Sequence, residues 1–521
     1  MLFKILMVVV FIAVTIYIGY YARKTARDVD GFVLGGRKVG PWLSAFAYGA
    51  TYFSAVVFVG YAGQFGWKYG MSVIWIGLGN AFIGSMLAWY VLGARTRAMT
   101  HHLRAQTMPE FFGARFSSPA LRIAAAAIIF IFLIPYTASV YNGLSRLFGM
   151  AFDVRYEWCI IVMAVLTCIY VVMGGYMATA INDVVQGCVM LFGIVAVIIT
   201  VLAKYGGFTQ AMLDLSQVAS DTPGMTEMQG AYVSIFGTDL FSLTAVLVLT
   251  SLGVWGMPQM VQKFYAIKST DAIKRGAIIS TLFAVVIAGG CYFLGGFGRL
   301  AAKSIELVPD KDIPGKLVPA SYDAVVPAML QGMPDLLMGL LVVLVLSASM
   351  STLSALVMTS SSTLTLDFLK GKFIREMDVR SQIMAIRLLI VVFVLISTVI
   401  AIVQYNSQIT FIAQLMAISW GVLAGSFLGP FLYGLYWKRT TVASVWACFI
   451  FAVFLVCGSM ALNYMKIVKL SLINVGALAI LSGLVIVPVV SWLTKRPDPE
   501  KTDALFRESY LNLHDTKIDA D

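Results

Sequence analysis

Long apolar stretches recur from one end of this 521-residue chain to the other. A helix needs about 20 predominantly apolar residues to cross the roughly 30 Å hydrocarbon core of a bilayer, and stretches of that length dominate the sequence. Composition agrees, because 60% of the residues are hydrophobic and 12% are charged, whereas an average soluble domain carries about 25% charged residues. The chain is therefore expected to be an all-α integral membrane protein.

Hydropathy predicts about thirteen membrane-spanning helices. Their expected limits are Leu2 to Tyr21, Pro41 to Phe65, Met71 to Leu92, Ile123 to Phe148, Tyr156 to Met173, Ala178 to Ala203, Leu240 to Val261, Ala277 to Phe297, Leu336 to Leu364, Leu388 to Val403, Thr410 to Tyr436, Val442 to Leu462 and Ile473 to Leu493. The longest polar segments are shorter than the roughly 50 residues that a small folded domain needs. Function is therefore expected to lie among the helices.

The reactive side chains argue against an enzyme. All six cysteines lie inside apolar stretches without a CxxC pair, and all three histidines lie in polar segments. Neither a disulfide framework nor a zinc site is indicated, and no span offers the imidazole that most general-base chemistry uses. The chain is expected not to be an enzyme.

The net charge of +11 is spread over short loops beside apolar spans, which indicates an anionic lipid surface and not nucleic acid. Basic residues, with Lys263 counted among them, cluster at 23–38, 95–122, 263–275, 370–387 and 438–439. Lysine and arginine are held preferentially on the cytoplasmic side. We therefore expect a multi-pass protein of the inner or plasma membrane with its N-terminus outside and its C-terminus in the cytoplasm.

Two spans are interrupted by residues that sustain a helix poorly. Gly49 lies in the stretch 48–54 of the second span, and Gly253, Gly256 and Pro258 lie in the stretch 251–259 of the seventh. Backbone carbonyls freed at membrane depth are tolerated where they face protein or a polar cavity, so broken helices mark ion and substrate sites in transporters. Each break opens a block of five spans, which favours an inverted repeat; ordinary kinks or close helix packing are the alternative.

The ninth span carries a row of hydroxyl groups. Ser347, Ser351 and Ser354 follow one another at i, i+4 and i+7, so they share one helical face, with Thr352 and the carbonyl of Ala348 adjacent. Such a face can supply oxygen ligands to a hard cation. Small hydroxylated residues also pack membrane helices closely, and spacing alone does not separate the two interpretations.

Asp183 is the acidic residue that lies most clearly within a span. An ionisable group at membrane depth is costly unless it is paired, so a functional role is the default hypothesis. Its position near the expected start of the sixth span leaves a second interpretation open, that it caps the helix.

Taken together, these residues resemble the solute:sodium symporter family. The resemblance covers most of the chain and is specific in the order and spacing of its motifs. The motifs are Gly35-Gly36-Arg37, Thr107-Met108-Pro109-Glu110-Phe111 with Arg115-Phe116, Gly174-Gly175-Tyr176 before Asp183, Ser351-Thr352-Leu353-Ser354, Ser419-Trp420-Gly421, Gly425, Gly429-Pro430 and Gly434-Leu435-Tyr436-Trp437.

The resemblance implies a LeuT-like core of two inverted five-helix repeats. The expected divisions are an N-terminal helix and loop (1–40), the first repeat (41–207), the second repeat (208–437), two C-terminal helices (438–493) and a cytoplasmic tail (494–521).

The resemblance also implies a sodium site, with sodium as the co-transported ion. Its ligands would be the carbonyls of Ala50, Phe53 and Ala348 and the hydroxyls of Ser351 and Thr352. Asp183 matches a carboxylate that, in some relatives, helps to form a second sodium site with Ser351 and Ser354. Ala355 stands where two-sodium members have a hydroxyl, so the choice between one ion and two stays open.

For the solute, Tyr136 resembles a substrate-site tyrosine of proline carriers, and Trp255 is an aromatic residue at the seventh-span break. Tyr52 stands where proline carriers have an aspartate, and with Ser54 and Gln259 it completes the candidate solute residues. The solute classes that remain are an amino acid such as proline, a monocarboxylate and a sugar-like compound. Core packing is the alternative role for the aromatic residues.

The function expected from all of this is sodium-coupled symport of a small polar solute by alternating access. The expected partners are the solute, sodium and the lipid bilayer, with no nucleic acid, and the working unit is expected to be a monomer. A proton-coupled transporter, or a channel or sensor of the same fold without coupled uptake, is the alternative. A channel would need a continuous pore, and no repeated filter motif is present in the sequence.

Overall fold

The computed structural model describes residues 2–26, 28–152, 154–222, 225–310, 316–373, 377–407 and 412–511. Arg27, residues 374–376 of the fourth basic cluster, the expected start of the eleventh span at Thr410, and residues 512–521 of the expected tail lie outside the described residues. Within the described residues, the chain forms twenty α-helices and one antiparallel pair of strands.

The helices are numbered in chain order. They are α1 (Leu2–Ala22), α2 (Val29–Leu34), α3 (Pro41–Tyr52), α4 (Ala62–Tyr69), α5 (Ile74–Gly79), α6 (Ala94–His102), α7 (Met108–Arg115), α8 (Pro119–Phe152), α9 (Tyr156–Lys204), α10 (Phe208–Ser216), α11 (Leu240–Leu247), α12 (Pro258–Tyr265), α13 (Thr270–Gly296), α14 (Val325–Leu330), α15 (Asp335–Thr363), α16 (Val379–Ser407), α17 (Ile412–Tyr436), α18 (Val442–Tyr464), α19 (Leu472–Leu493) and α20 (Pro499–Tyr510).

Shorter helical segments and two strands complete the described secondary structure. The π-helical segments are Val56–Tyr61, Asn80–Leu87, Trp89–Gly93, Val248–Leu252 and Leu364–Phe373. The 3-10 segments are Arg23–Thr25, Gly35–Arg37, Gly70–Val73, Ala231–Val233, Gly253–Gly256, Gly298–Ser304 and Tyr322–Ala324. The strands are β1 (Leu307–Pro309) and β2 (Leu317–Pro319), paired with Val308 opposite Val318.

Ten helical runs among the described residues are long and apolar enough to cross a membrane, or eleven if the bent pair Leu240–Gly256 and Pro258–Tyr265 is one span. The expected count of about thirteen is not confirmed. One reason is that the expected fifth and sixth spans form a single helical run, α9, interrupted at Gly175, whose φ of 57° is left-handed.

The other reason is the division of the expected second span. Its first part, α3, ends at Tyr52, and its second part continues into the expected third span in the run Val56–His102. A span that stops being helical midway cannot be counted as one continuous helix, although its two parts together have the expected length.

The buried centre of the bundle is α15. Nearly every side chain from Met338 to Thr363 is buried, and α15 packs against α1, α3, α8, α9 and α16. A second buried helix, α17, packs between α8, α18 and α19. By contrast, α1 and α18 keep exposed apolar faces, as lipid-facing helices do.

One end of α7 is fixed by charged and polar side chains. Thr107 caps α7 by accepting a hydrogen bond from the amide of Glu110 (3.2 Å), and its hydroxyl donates to the carboxylate of Asp367 (2.6 Å). Arg122 donates to Asp367 and to Glu110, both at 2.7 Å. These bonds tie α7 and α8 to the π-helical segment that follows α15, so Thr107 and Glu110 of this motif have a structural role.

A second charged contact ties the loop after α10 to the 3-10 segment Gly298–Ser304. Arg299 donates two hydrogen bonds to the carboxylate of Asp221, at 2.8 and 2.9 Å. Burial alone would raise the pKa of Asp221, but the hydrogen bonds and charge of Arg299 outweigh it and hold that pKa below its ordinary value. The pair is therefore ionised at neutral pH.

Close helix packing depends on glycine at the contact between α13 and α4. A Cβ added at Gly295 would overlap the backbone carbonyl of Ala62, and one added at Gly66 would overlap the carbonyl of Gly295. Backbone atoms at such a contact cannot turn aside as a flexible side chain does. The two helices can approach this closely because neither residue has a side chain.

Gly295→Ala is therefore expected to destabilise the protein, while Gly289→Ala in the same helix meets open space and serves as the control. Alanine favours a helix over glycine by about 0.5–1 kcal/mol, whereas overpacking costs about 1–3 kcal/mol. The thermal unfolding midpoint of each purified variant in detergent should fall for Gly295→Ala and stay level or rise for Gly289→Ala. Equal midpoints in the two variants would contradict the contact.

Candidate functional site

The first break lies at Phe53 and Ser54, where the backbone leaves the helical conformation. Phe53 has φ −106° and ψ 94°. The amides of Val56 and Val57 bond to the side-chain and backbone oxygens of Ser54 (3.2 and 2.9 Å), so they do not close a turn onto the Phe53 carbonyl. Ala50 lies in the last turn of α3, where carbonyls lack an intrahelical donor. The break therefore leaves free carbonyls, although Gly49 itself stays helical.

The ninth-span helix α15 reaches this break through Thr352. The Thr352 hydroxyl lies 3.0 Å from the carbonyl of Thr51 and 3.2 Å from that of Ala348, in hydrogen-bonding geometry to both. Since a hydroxyl has one hydrogen, it serves one carbonyl at a time and keeps lone pairs available. The structure thus brings the candidate ligands Ala50, Ala348 and Thr352 to one buried contact between α3 and α15.

Ser351 turns towards a different neighbour. Its hydroxyl donates to Asp183 at 2.6 Å, and the hydroxyl of Ser354 donates to the carbonyl of Ser351 at 2.8 Å. The hydroxyl row of α15 therefore divides, with Thr352 at the break and Ser351 beside the carboxylate. Among the described residues, the hydroxyls of Ser347 and Thr51 are buried without a hydrogen-bond partner, so polar oxygen is in excess here.

Asp183 does not cap a helix, so that interpretation is wrong. It lies well inside the helical segment that follows Gly175, is 1% exposed, and has one oxygen bonded to Ser351. Its other oxygen lies 3.7 Å from the ammonium of Lys263. The acid is thus a buried member of the contact between α9, α12 and α15.

Lys263 was expected in a cytoplasmic loop, and that expectation is wrong. Its side chain is 3% exposed, in α12, and its ammonium also lies 5.1 Å from the centre of the Tyr176 ring. The sequence held a usable signal, because a carboxylate within a span needs a partner of opposite charge. Lys263 lies only a few residues beyond the Pro258 break.

The second break lies at Met257. The 3-10 segment Gly253–Gly256 ends there, the ψ of Met257 is 119°, and α12 restarts with Pro258 at its first turn. The two halves are bent by 44°. Proline suits this position because the first amide of a helix has no intrahelical acceptor, so the break falls where the sequence predicted it.

Aromatic side chains join the two breaks. The Tyr52 hydroxyl donates to the carbonyl of Thr250, at 2.6 Å, just before the second break. The Tyr52 ring stacks on Phe53 (centroids 4.3 Å apart) and on Trp420 (6.3 Å), and Tyr136 meets Trp420 edge-on at 5.9 Å. Tyr52 and Tyr136 are thus brought together around Trp420, whose role at the site the sequence did not predict.

Trp255 lies apart from this cluster. Its indole N–H donates to the carbonyl of Ile83 at 3.0 Å, and no ring contact in the described part of the chain links it to Tyr136 or Trp420. Gln259 follows the second break, and its side-chain oxygen is buried without a hydrogen-bond partner among the described residues. Of the candidate solute residues, Tyr52 and Tyr136 therefore belong with Trp420, Ser54 belongs with the first break, and Gln259 belongs with the second break.

The chain is similar to known membrane transporters. The model of the sodium:solute symporter family matches residues 32–451. The osmoregulated proline transporter OpuE of Bacillus subtilis is 29% identical over 425 residues, covering 81% of each chain. Sodium/proline symporter 2 of Staphylococcus saprophyticus is 29% identical over 445 residues, covering 83% of this chain and 81% of the relative.

The fold is also that of a solved transporter. The structure of a Na+-coupled sialic acid symporter in its substrate-bound outward-open state superposes with a TM-score of 0.75 at 18% identity, covering 95% of this chain and 98% of that one. At that identity the match concerns the fold. The expected all-α, LeuT-like membrane architecture is confirmed.

The buried ion pair of Asp183 and Lys263 is expected to stabilise the folded protein. Asp183→Asn or Lys263→Met alone leaves one charge buried without its partner, which costs about 3–5 kcal/mol in such cases. The double variant removes both charges and should recover much of that loss. Thermal unfolding midpoints of the four proteins, measured in detergent without sodium, form the cycle. Additive losses in the double variant would mean that the two groups do not interact.

Proposed function

The chain belongs to the sodium:solute symporter family, and we propose that the solute it imports with sodium is L-proline or a zwitterion of similar size. Family membership makes it a multi-pass membrane transporter that moves a small molecule with sodium as the co-transported ion. The family and the relatives named above are transporters, not enzymes. The observation that carries the proposal is the buried contact of the broken α3 with the hydroxyls of α15.

We assign the sodium site to the carbonyls of Ala50, Phe53 and Ala348 with the hydroxyls of Thr352 and Ser351. Carbonyl and hydroxyl oxygens suit a hard monovalent cation, and freed carbonyls occur at membrane depth where an ion or substrate uses them. Support comes from the hydrogen bond of Thr352 to Thr51, which shows that the α15 hydroxyl is within reach of the break.

We assign the solute to the space beside Tyr52, Ser54, Tyr136 and Trp420. Aromatic rings suit the methylene groups of a pyrrolidine ring and attract an ammonium group. The first turn of α12, with Gln259, presents the positive end of a helix that suits a carboxylate. The names of two relatives, both proline transporters, support this choice. Trp255 then has a packing role behind the break.

The proposed cycle is alternating access. Sodium binding joins the broken α3 to α15, the solute binds beside it, and the site then opens to the other side. Linkage makes sodium and solute strengthen each other's binding, by about 1–3 kcal/mol for typical coupled sites. A potential of 100 mV adds about 2.3 kcal/mol for each charge moved, so sodium entry drives uptake.

Finer features belong to the same proposal. We place the protein in the inner or plasma membrane with its N-terminus outside and its C-terminus in the cytoplasm, because of the basic clusters at 95–122 and 438–439. We also propose that it works as a monomer and that 41–207 and 208–437 are its two inverted repeats.

Thr352→Ala is expected to raise the sodium concentration for half-maximal uptake of L-proline by about tenfold, since a hydrogen bond or ligand oxygen of this kind is worth about 1 to 1.5 kcal/mol. Ser351→Ala should act in the same direction. Ser349→Ala is the matched control, because within the described part of the chain the Ser349 hydroxyl bonds to its own helix α15, at the carbonyl of Val345 (2.7 Å). Uptake into proteoliposomes measures the effect. Equal sodium dependence in Thr352→Ala and Ser349→Ala would remove Thr352 from the site.

A thermal-shift screen of the purified protein tests the solute. L-proline should raise the unfolding midpoint in sodium chloride and not in potassium chloride, since bound ligand stabilises the folded state. Tyr136→Ala should lose this shift, while Phe148→Ala in the same helix should keep it. A shift with pyruvate or glucose but not with L-proline would replace the proposed solute. A sodium-independent shift that follows pH would favour proton coupling.

A further inference from the structure

We propose that the ammonium of Lys263 takes the place of a second sodium ion beside Asp183, so that the transporter moves one sodium ion with each solute. The proposal is based on the residues around Asp183. Its test by transport of L-proline rests on the proposed function. The sodium-binding readout does not need a solute.

Asp183 is a carboxylate that requires a cation. It is 1% exposed, and its Oδ1 accepts one hydrogen bond, from Ser351. Its Oδ2 is buried without a hydrogen-bond partner among the described residues. A charged carboxylate inside a membrane bundle is tolerated only with a counter-charge nearby. Whatever cation is present must lie at the Oδ2 side.

Lys263 supplies that cation from the chain itself. Its ammonium lies 3.7 Å from Asp183 Oδ2 and over the Tyr176 ring at 5.1 Å, with the side chain 3% exposed. Asp183 is its ion-pair partner within the part of the chain that the structure describes. The ammonium therefore has no other carboxylate there to neutralise, and the pair is electrically balanced.

Besides Asp183, the oxygens that could hold a second metal ion are the hydroxyls of Ser351 and Ser354, which donate hydrogen bonds and keep their lone pairs. Ser351 donates to the carboxylate, Ser354 donates to the carbonyl of Ser351 (2.8 Å), and Ala355 offers no hydroxyl. A sodium ion added here would share one carboxylate with the ammonium. Two cations facing one buried anion repel each other strongly at low dielectric, so the lysine excludes the ion.

A tethered cation differs from sodium in one consequence for transport. Sodium enters from one side and leaves on the other, whereas the ammonium stays attached to α12 throughout the cycle. Lys263 therefore neutralises Asp183 without contributing to the ions carried. The solute gradient that the transporter can sustain then follows the first power of the sodium gradient, not its square.

The test counts sodium ions on the full-length protein in nanodiscs by equilibrium binding of 22Na+. We expect one ion on the unaltered protein and on Lys263→Arg. Lys263→Met exposes Asp183 to solution ions and should bind two, with a Hill coefficient above one. Asp183→Asn/Lys263→Met should return to one. Lys204→Met is the control lysine, since among the described residues Lys204 bonds to the carbonyls of Met329 and Gln331 and to no carboxylate.

Two ions on the unaltered protein would overturn the proposal, and so would a single ion on Lys263→Met. If Lys263→Met does not fold, the counts on the unaltered protein and on Lys263→Arg decide the question. Reversal potentials in proteoliposomes with L-proline should give one sodium per solute. A binding count of one with no L-proline transport would support the lysine proposal while contradicting the proposed solute.

Discussion

Peptide groups released at membrane depth need partners that lipid cannot provide, and this requirement organises the centre of the molecule. The interruption at Phe53 and Ser54 is satisfied partly by the chain itself and partly by Thr352 of α15, whose hydroxyl reaches the carbonyl of Thr51. The hydroxyl of Tyr52 does the same for Thr250 before the second interruption. The broken helices are therefore stable only where other helices surround them.

Buried charges, like the free peptide groups, need partners from other parts of the chain. Each buried or partly buried carboxylate described above is matched by a cation from another helix or loop: Asp183 by Lys263, Asp367 by Arg122, and Asp221 by Arg299. These pairs join elements far apart in the chain. An ion pair between two elements that separate during transport would have to break. Otherwise the two elements would have to move together.

Hydropathy and helix-breaking residues predicted much of this from the sequence, because solvent and backbone geometry are local constraints. The apolar stretches, the break before Pro258 and the hydroxyl face of α15 were all predicted. The first break falls at Phe53 and Ser54, inside the predicted stretch 48–54, whereas Gly49 remains helical.

Contacts between distant segments were the part that the sequence could not give. The pairing of Lys263 with Asp183 and the stacking of Tyr52 on Trp420 depend on how helices cross, which no local pattern determines. The prediction that Lys263 lies in a loop was wrong for this reason. A charged residue close to the end of an apolar stretch is ordinarily predicted to be exposed to water. The close contact of Gly295 with Ala62 likewise cannot be predicted without knowing how the two helices pack.

The hydrogen bond of Thr352 also bears on how tightly the proposed site would hold sodium. Its single hydrogen serves the carbonyl of Thr51 or that of Ala348, one at a time, and a cation bound to the Ala348 carbonyl and the Thr352 oxygen would leave that hydrogen to Thr51. The proposed ion would therefore displace the hydrogen bond to Ala348, whose net worth is about 1 kcal/mol. This cost weakens binding without abolishing it, and a transported ion has to leave as well as enter. An interface whose hydrogen bonds are partly formed before sodium arrives is thus suited to a site that must release its ion as well as bind it.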